Sequence, residues 1–500
     1  MRLIPKAGVA AFVVALAALL EAEPIRLLPE NPHYFLFRGK AIALITSGEH
    51  YGAVLNGAFD YHRYLAVIQS DGSDYTRLFG GSYVEVPGKS FGILRNDLAP
   101  DPGRFIAPWA RSNASRSNTP KSGKAGYAGG GSKFDLEQWN PEYFARYRDF
   151  LAEADRRGIV VEVTLFSSQY GEPQWAMSPF HPANNVNGAD AIDWRKLETL
   201  ENGNILRFQE SYVRKLVREA NAFDNVLFEI QNEPWSDRGE LADVVNPYLA
   251  APGRNVYPNS VDVADALSTA WQAQVAKWIV SEESGLPKKH LIAQNYCNFR
   301  LPVEALVPGV SLVNFHYAYP EAATWNYGLG KAIGYDETGF LGRDDESYRR
   351  QAWNFMLSGG STFDALDYSF SPGHEDGSDD APNGPGGGSA ALRRQLHILR
   401  EFLESLPLSQ LRPDTQTVTH AGRTKIHALS DPGHDYAIYF DGDGPAEVVL
   451  SLPPGEYEGS WLNPKTGDVQ KMGYVSGGRR LRSPPFRNGI ALRLKRLPGG

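Results

Sequence analysis

The feature that most restricts the fold is an alternation, repeated along most of the chain, of short apolar runs with stretches of helical spacing. The runs are 41–46 (AIALIT), 74–79 (DYTRLF), 159–166 (IVVEVTLF), 226–231 (VLFEIQ), 290–294 (HLIAQ), 310–315 (VSLVNF), 332–335 (AIGY) and 362–367 (TFDALD). Residues 59–69, 141–157 and 209–222 between them place apolar side chains at helical intervals. Strand–helix alternation of this kind calls for a parallel sheet covered by helices. Eight such units predict an α/β fold, a (β/α)8 barrel (TIM barrel). An open doubly wound sheet is the rival, and the absence of a glycine-rich phosphate turn after the first run weighs against it.

Near Leu406 the helical spacing stops. Short alternating segments follow at 436–440, 447–450, 457–462 and 490–494, separated by turn sequences such as Asp441-Gly442-Asp443-Gly444. They predict a small antiparallel β-sandwich over 411–500, after a barrel over 23–410. The link around Pro407 to Pro413 lacks a Gly/Ser run, so the sandwich is expected to pack on the barrel. The stretch 96–133 is rich in Gly, Ser, Asn and Pro and reads as a large loop over the barrel mouth.

The first residues have the form of an export signal. Arg2 and Lys6 precede an uncharged apolar stretch from Gly8 to Leu20, and Glu21 and Glu23 follow it. Cleavage near Ala22 predicts a secreted or periplasmic protein with no remaining membrane span; an uncleaved anchor is the alternative. With the single cysteine Cys297, no intramolecular disulfide can form. The net charge of −8, without a basic run, argues against nucleic acid as a partner. Aromatic residues make up 12% of the chain, enough to line a sugar groove as well as a core.

Two carboxylates stand just beyond predicted strand ends, where barrels hold their chemistry. Glu233 lies in Gln231-Asn232-Glu233-Pro234-Trp235 after the fourth strand, and Glu337 in Asp336-Glu337-Thr338-Gly339 after the seventh. Strands four and seven face each other across a barrel, so both side chains can flank one bond. A glycosidic bond hydrolysed with retention needs two carboxyls about 5–5.5 Å apart, one acid/base and one nucleophile. Strand alternation points the neighbouring Asp336 away from the side of Glu337. His50, His62 and His181 lack the spacing of a zinc motif, and no Gly-x-Ser-x-Gly elbow occurs. Neither a metal nor another cofactor is therefore expected. The acidic run His374-Glu375-Asp376 with Asp379-Asp380 lacks regular Ca²⁺-loop spacing and reads as a solvated loop.

With these motifs, the chain from about Pro29 to Leu406 resembles the clan A glycoside hydrolases, specifically their cellulase-like members, in a divergent branch. The resemblance implies Glu233 as acid/base, Glu337 as nucleophile, and Asn232 as the partner of the sugar 2-hydroxyl. It implies Arg77 beneath the nucleophile, and His316 with Tyr317 or Tyr319 beside it. Relatives often space that pair as His-x-Tyr, whereas here tyrosines follow His316 by one and three residues. The third strand ends Phe166-Ser167-Ser168-Gln169, where many cellulases carry a histidine. The eighth lacks the usual tryptophan platform, for which Tyr368, Phe370, Trp175 or Trp235 are the substitutes. The function so implied is retaining hydrolysis of β-glycosidic bonds in a polysaccharide or oligosaccharide. A carbohydrate-binding barrel without turnover is the alternative.

Overall fold

The computed structural model describes residues 23–48, 51–112, 127–380 and 386–498. The predicted export signal lies outside them. Eight parallel strands form the central sheet: β1 (Leu44–Ile45), β2 (Tyr75–Phe79), β3 (Val160–Ser167), β4 (Val226–Asn232), β5 (Leu291–Asn298), β6 (Leu312–His316), β7 (Ala332–Glu337) and β8 (Thr362–Phe363). They pair in the order β1-β8-β7-β6-β5-β4-β3-β2. Side chains help to bridge the remaining seam. The hydroxyls of Thr76 and Tyr64 donate to the Gly48 carbonyl at 2.6 and 2.8 Å.

Helices α1 (Tyr61–Ser70), α2 (Pro141–Arg157), α3 (Ile205–Ala220), α4 (Ala266–Ser284), α5 (Pro320–Asn326), α6 (Asp345–Met356) and α7 (Ala390–Glu404) surround the barrel. The ends of α2 are written in its sequence. The Asn140 side chain accepts from Glu142 N at 3.1 Å, Pro141 opens the first turn, and Gly158 at φ 73° closes the last. Between β5 and β6 no helix forms; Pro302, Pro308 and Gly309 occupy that connection, which runs as turns.

Every second residue of a strand faces the interior, and the interior is layered. Its lower layer is apolar: Leu44, Tyr75, Val160, Leu227, Leu291, Leu312 and Ala332 pack with Ile25, Phe35, Phe37 and Ile42. The last four belong to the chain before β1, most of which forms a three-stranded antiparallel sheet (Arg26–Leu28, Asn31–Phe37, Lys40–Ile42). This plug divides the first predicted strand. Ala41 and Ile42 pair back onto Leu36 and Phe35, and only Leu44 and Ile45 join the barrel. The eighth strand is likewise shorter than its apolar run. Above the floor the same inward positions turn polar, carrying Arg77, Glu162, Glu229, Asn295, Asn314, Asp336 and Asp364, all at most 1% exposed.

Past Leu411, antiparallel strands form a six-stranded and a three-stranded sheet, a β-sandwich. It seats on α6 and α7. Trp353 of α6 is fully buried, its ring 5.2 Å from that of Phe402 and 5.3 Å from that of Tyr439 in the strand Asp435–Asp441. Arg350 Nε donates to Asp441 at 2.8 Å, and Arg493 Nη2 to the Ser405 carbonyl at 2.8 Å. Residues of both layers share one hydrophobic core. Trp353→Ala should therefore loosen barrel and sandwich together, with an expected loss of about 3–5 kcal/mol. Denaturant unfolding followed by near-UV circular dichroism checks it; a variant within 1 kcal/mol of wild type, taking about that as measurement error, would refute the shared core.

Candidate active site

The site forms where the polar layer reaches the C-terminal ends of the strands. Arg77, completely buried on β2, is its electrostatic centre. Its guanidinium grips Glu229 of β4 with two nitrogens at 2.8–3.1 Å, and Nη2 also donates to Asn232 Oδ1 at 3.0 Å. Nη1 donates to the Asp336 carbonyl at 3.1 Å and to the Tyr51 hydroxyl at 2.7 Å. Tyr51 in turn donates to Glu337 Oε2 at 2.6 Å, whereas Arg77 itself stands 3.6 Å from that oxygen. The arginine thus reaches the carboxylate mainly through a tyrosine.

Glu337 has a second donor on its other oxygen. The Tyr317 hydroxyl lies 2.9 Å from Oε1, while Tyr319 turns aside and stacks on Phe299 at 5.6 Å. The tyrosine directly after His316 is the one that reaches the carboxylate, because Tyr317 sits at φ 51° and its N–H binds the Glu337 carbonyl at 2.9 Å. Burial pushes the Glu337 carboxyl up, but His316, Arg77 and the Tyr51 hydroxyl outweigh burial and hold it at about 2.

Glu233 follows β4 at φ 46°, a conformation held by two contacts. Its N–H donates to Asn295 Oδ1 at 3.0 Å, and its carbonyl accepts from the Ser168 hydroxyl at 2.7 Å. The Tyr170 hydroxyl donates to Glu233 Oε2 at 2.8 Å and accepts from Asn232 Nδ2 at 2.9 Å. Asp237 accepts from the backbone N–H of Tyr170 at 2.8 Å and so fixes the turn.

His316 joins the two carboxylates. Its Nδ1 is 3.1 Å from Glu233 Oε1 and 3.5 Å from Glu337 Oε1, and Nε2 is 3.5 Å from Asp336 Oδ1. One oxygen of Glu233 and one of Glu337 lie within 4.8 Å of each other and of the imidazole. Burial would lower the imidazole's proton affinity, yet the charges of Glu337 and Asp336 raise it well above its ordinary value. Trp235 covers the ring edge-on at 5.3 Å.

Asp336 keeps the inward alternation set by Ala332, and Glu337 beside it is the residue that departs from it. Asp336 points into the barrel below Glu337, 3.4 Å from Arg77 Nη2 and 3.1 Å from Asn295 Nδ2. A register shift between β6 and β7 at Phe315/His316 turns two consecutive residues inward. With Glu162 and Glu229 it forms a second carboxylate trio. Burial and neighbouring carboxylates raise Glu162 well above the usual carboxylate range; Tyr75 and Asn314 donate hydrogen bonds to it. Gly334 leaves the room Asn314 needs, since a Cβ there would fall 2.1 Å from its Oδ1. Either trio could supply metal ligands by type, but each already faces the Arg77 guanidinium.

Of the other aromatic residues singled out in the sequence, Tyr368 and Phe370 line the pocket over Glu337, and Trp235 lines an adjoining one. Trp175 is buried against His181, away from both. The acidic loop after β8 is occupied by arginines and backbone amides: Asp376 pairs with Arg63 at 2.6 Å, Asp379 with Arg95 at 2.7 Å, and Glu375 accepts from Gly373 N at 2.9 Å. Tyr51, Tyr170 and Asn295 had no signal in the sequence, because each lies in or after a strand end whose side-chain direction depends on the local turn.

No protein-family model and no curated protein matches the sequence. Solved structures do. A Bacteroides vulgatus protein assigned to the glycoside hydrolases is similar over 95% of this chain and 83% of its own, with a TM-score of 0.61 and 12% identity. A second glycoside hydrolase is similar over 95% and 97%, with a TM-score of 0.59 and 12% identity. A glycoside hydrolase family 5 protein of B. vulgatus is similar over 95% and 93%, with a TM-score of 0.58 and 12% identity. The chain has the fold of these glycoside hydrolases. Barrel and sandwich, as expected from the sequence, are both part of that likeness; the chemistry must be argued from the side chains.

The relay through Tyr51 makes a direct prediction. A hydrogen bond to a charged group contributes about 1.5–3 kcal/mol, so Tyr51→Phe should raise the titration point of Glu337 by about one to two pH units. The sign follows from the bond's favouring the ionised form. Carbon-13 NMR of glutamate-labelled protein reads it, and an unmoved Glu337 resonance would show that Arg77 acts without the tyrosine.

Proposed function

We propose that the protein is a retaining glycoside hydrolase acting on β-glycosidic bonds, with Glu337 as nucleophile and Glu233 as acid/base. The observation that carries this reading is the separation of their oxygens, within 4.8 Å across His316. Retention calls for carboxyls about 5–5.5 Å apart, and inversion for about 6.5–9.5 Å, which leaves room for a water. The geometry favours the first.

In the first step Glu337, held ionised, attacks the anomeric carbon as the bond to the leaving oxygen breaks and Glu233 gives that oxygen its proton. The product is a glycosyl ester on Glu337 and a free alcohol. In the second step Glu233, now a carboxylate, takes a proton from water, whose oxygen displaces Glu337 from the anomeric carbon. Asn232, fixed by Arg77 and Tyr170, is the partner for the sugar 2-hydroxyl, a contact that strengthens as positive charge develops at the ring. Tyr317 and Tyr51 aim Glu337. The substrate is a polysaccharide or oligosaccharide. Residues 1–22 are read as an export signal, for a secreted or periplasmic location; among the described residues no helix is long and apolar enough to cross a membrane.

The two glutamates should fail differently. Glu337→Ala should abolish turnover of every substrate. Glu233→Ala should retain glycosylation by nitrophenyl β-glycosides, whose leaving groups need little protonation, while release of the sugar slows. Added azide should restore turnover and give the β-glycosyl azide. Near-normal hydrolysis by Glu337→Ala, or an inactive wild type across nitrophenyl glycosides and β-glycans, would overturn the assignment and favour a binding role.

A further inference from the structure

The space around the two glutamates is divided in a way that bears on which bond of a chain is cut. One pocket is lined by both Glu233 and Glu337; the adjoining one is lined by Glu233 with Trp235, Tyr257 and Asn298. On the reading proposed above, the sugar that becomes bonded to Glu337 must occupy the first pocket. The leaving part, which takes its proton from Glu233, must occupy the second.

The first pocket is walled on the side away from Glu233. The segment after β2 that contains Glu85 and Leu98 folds back on itself, with Glu85 N donating to the Leu98 carbonyl at 3.0 Å. It is pinned to the chain after β1, where Asn56 Nδ2 donates to the Asp97 carbonyl at 2.8 Å. The fit at that point is close: a Cβ on Gly52 would lie 2.1 Å from the Asp97 carbonyl oxygen. Arg95 then latches the segment to the loop after β8, with Nη2 2.7 Å from Asp379 Oδ1 and 3.5 Å from Asp380 Oδ1. Asp379 is itself seated by its N–H on the Ser369 carbonyl at 2.8 Å. At the other end of the segment Phe91 meets Tyr170 edge-on at 5.0 Å, which carries the wall to the end of β3.

Inside that wall the pocket offers a hydrogen-bonding carboxyl. Glu85 faces it from a buried position, hydrogen-bonded to Asn96, whereas Asp367 on the β8 side is taken up by Arg393 and Ser369. Burial pushes Glu85 up to about 8. A carboxyl raised so far is largely uncharged near pH 7 and can both donate to and accept from the hydroxyls of a sugar.

We propose that this pocket takes one terminal sugar and that the protein releases single residues from the non-reducing end of β-linked chains. A chain extended beyond the sugar on Glu337 would have to pass through the segment that Arg95 and Asn56 hold in place. The second pocket takes in Tyr257, exposed by 50%, which the first does not, and receives the remainder of the chain.

The test uses the full-length protein and hexasaccharides of β-linked glucose, mannose, xylose and galactose labelled at the reducing end, with the matching polymers. The expected early products are the labelled pentasaccharide and free monosaccharide from one of these series, with the viscosity of the polymer unchanged. A nitrophenyl β-monoglycoside of the same sugar should release nitrophenol at once, and the corresponding bioside only after a lag. Early internal fragments, a fall in viscosity, or immediate nitrophenol from the bioside would overturn the terminal action while leaving the glycosidase reading intact. Failure to cleave any member, monoglycosides included, would instead overturn that reading and this inference with it.

Discussion

The fork between Arg77 and Glu229 is the contact on which the upper half of the barrel depends. Both side chains are wholly buried, and the guanidinium also binds Tyr51, Asn232 and the Asp336 carbonyl. One planar group thereby fixes β2, β4, β7 and the chain after β1 relative to one another. Breaking a buried pair by removing one partner costs about 3–5 kcal/mol, because the charge left behind has no solvent. A lysine offers no fork and could not serve the same set of acceptors. The neighbouring carboxyls fit the same logic. With Arg77 and His316 as the cations in contact with this layer, burial raises the carboxyls of Glu162 and Asp364 well above the usual range. Asp364 still accepts from Gly48 N at 3.1 Å.

Strain is concentrated just above that layer. Phe91, Tyr170, Glu233, Tyr317 and Phe340 all have φ between 46° and 62°, and all five line the pocket over Glu337. Left-handed backbone in such residues costs about 1–3 kcal/mol each. It persists here because specific bonds over-determine the turns: Asn295 and Ser168 on Glu233, the Glu337 carbonyl on Tyr317, and Asp237 on Tyr170. Side chains that would follow the strands upward are instead turned across the mouth. The rigid polar layer beneath is what gives those turns something to hold.

This division explains what could be read from the sequence. The strands were visible because parallel strands buried on both faces are apolar runs, and Glu233 and Glu337 stood out by falling just past two of them. Arg77 and Asn232 were legible only through the family resemblance. What the sequence hid depends on departures from regular geometry. The β6–β7 register shift brought Glu337 to the inward side that Asp336 already faces, against the alternation rule, and the φ of Tyr317 settled which tyrosine meets Glu337. Tyr51 and Tyr170 come from the chain after β1 and β3, so a linear pattern gave no warning that they converge. The plug below the barrel was hidden for another reason. Its last strand runs almost directly into β1, and residues 41–46 looked like a single strand.

The position of His316 gives the proposed cycle an electrostatic economy. In the resting enzyme Glu337 carries the charge, and Glu233 must carry the proton it will donate. After the first step the ester on Glu337 is neutral and Glu233 is the carboxylate. The negative charge has moved from one glutamate to the other, but both oxygens remain beside the same imidazole nitrogen, at 3.1 and 3.5 Å in the structure. The net charge that His316 faces is therefore unchanged through the cycle, and the second carboxylate forms where a cationic partner already stands. A preorganised group of this kind needs no rearrangement as charge develops, which is where electrostatic stabilisation is most effective. Asp336 on the far nitrogen supports that cation throughout, since it holds His316 from below at 3.5 Å and takes no part in the exchange above. The inward turn of Glu337 next to Asp336, an irregularity when judged by strand alternation, is thus what lets one histidine serve both glutamates.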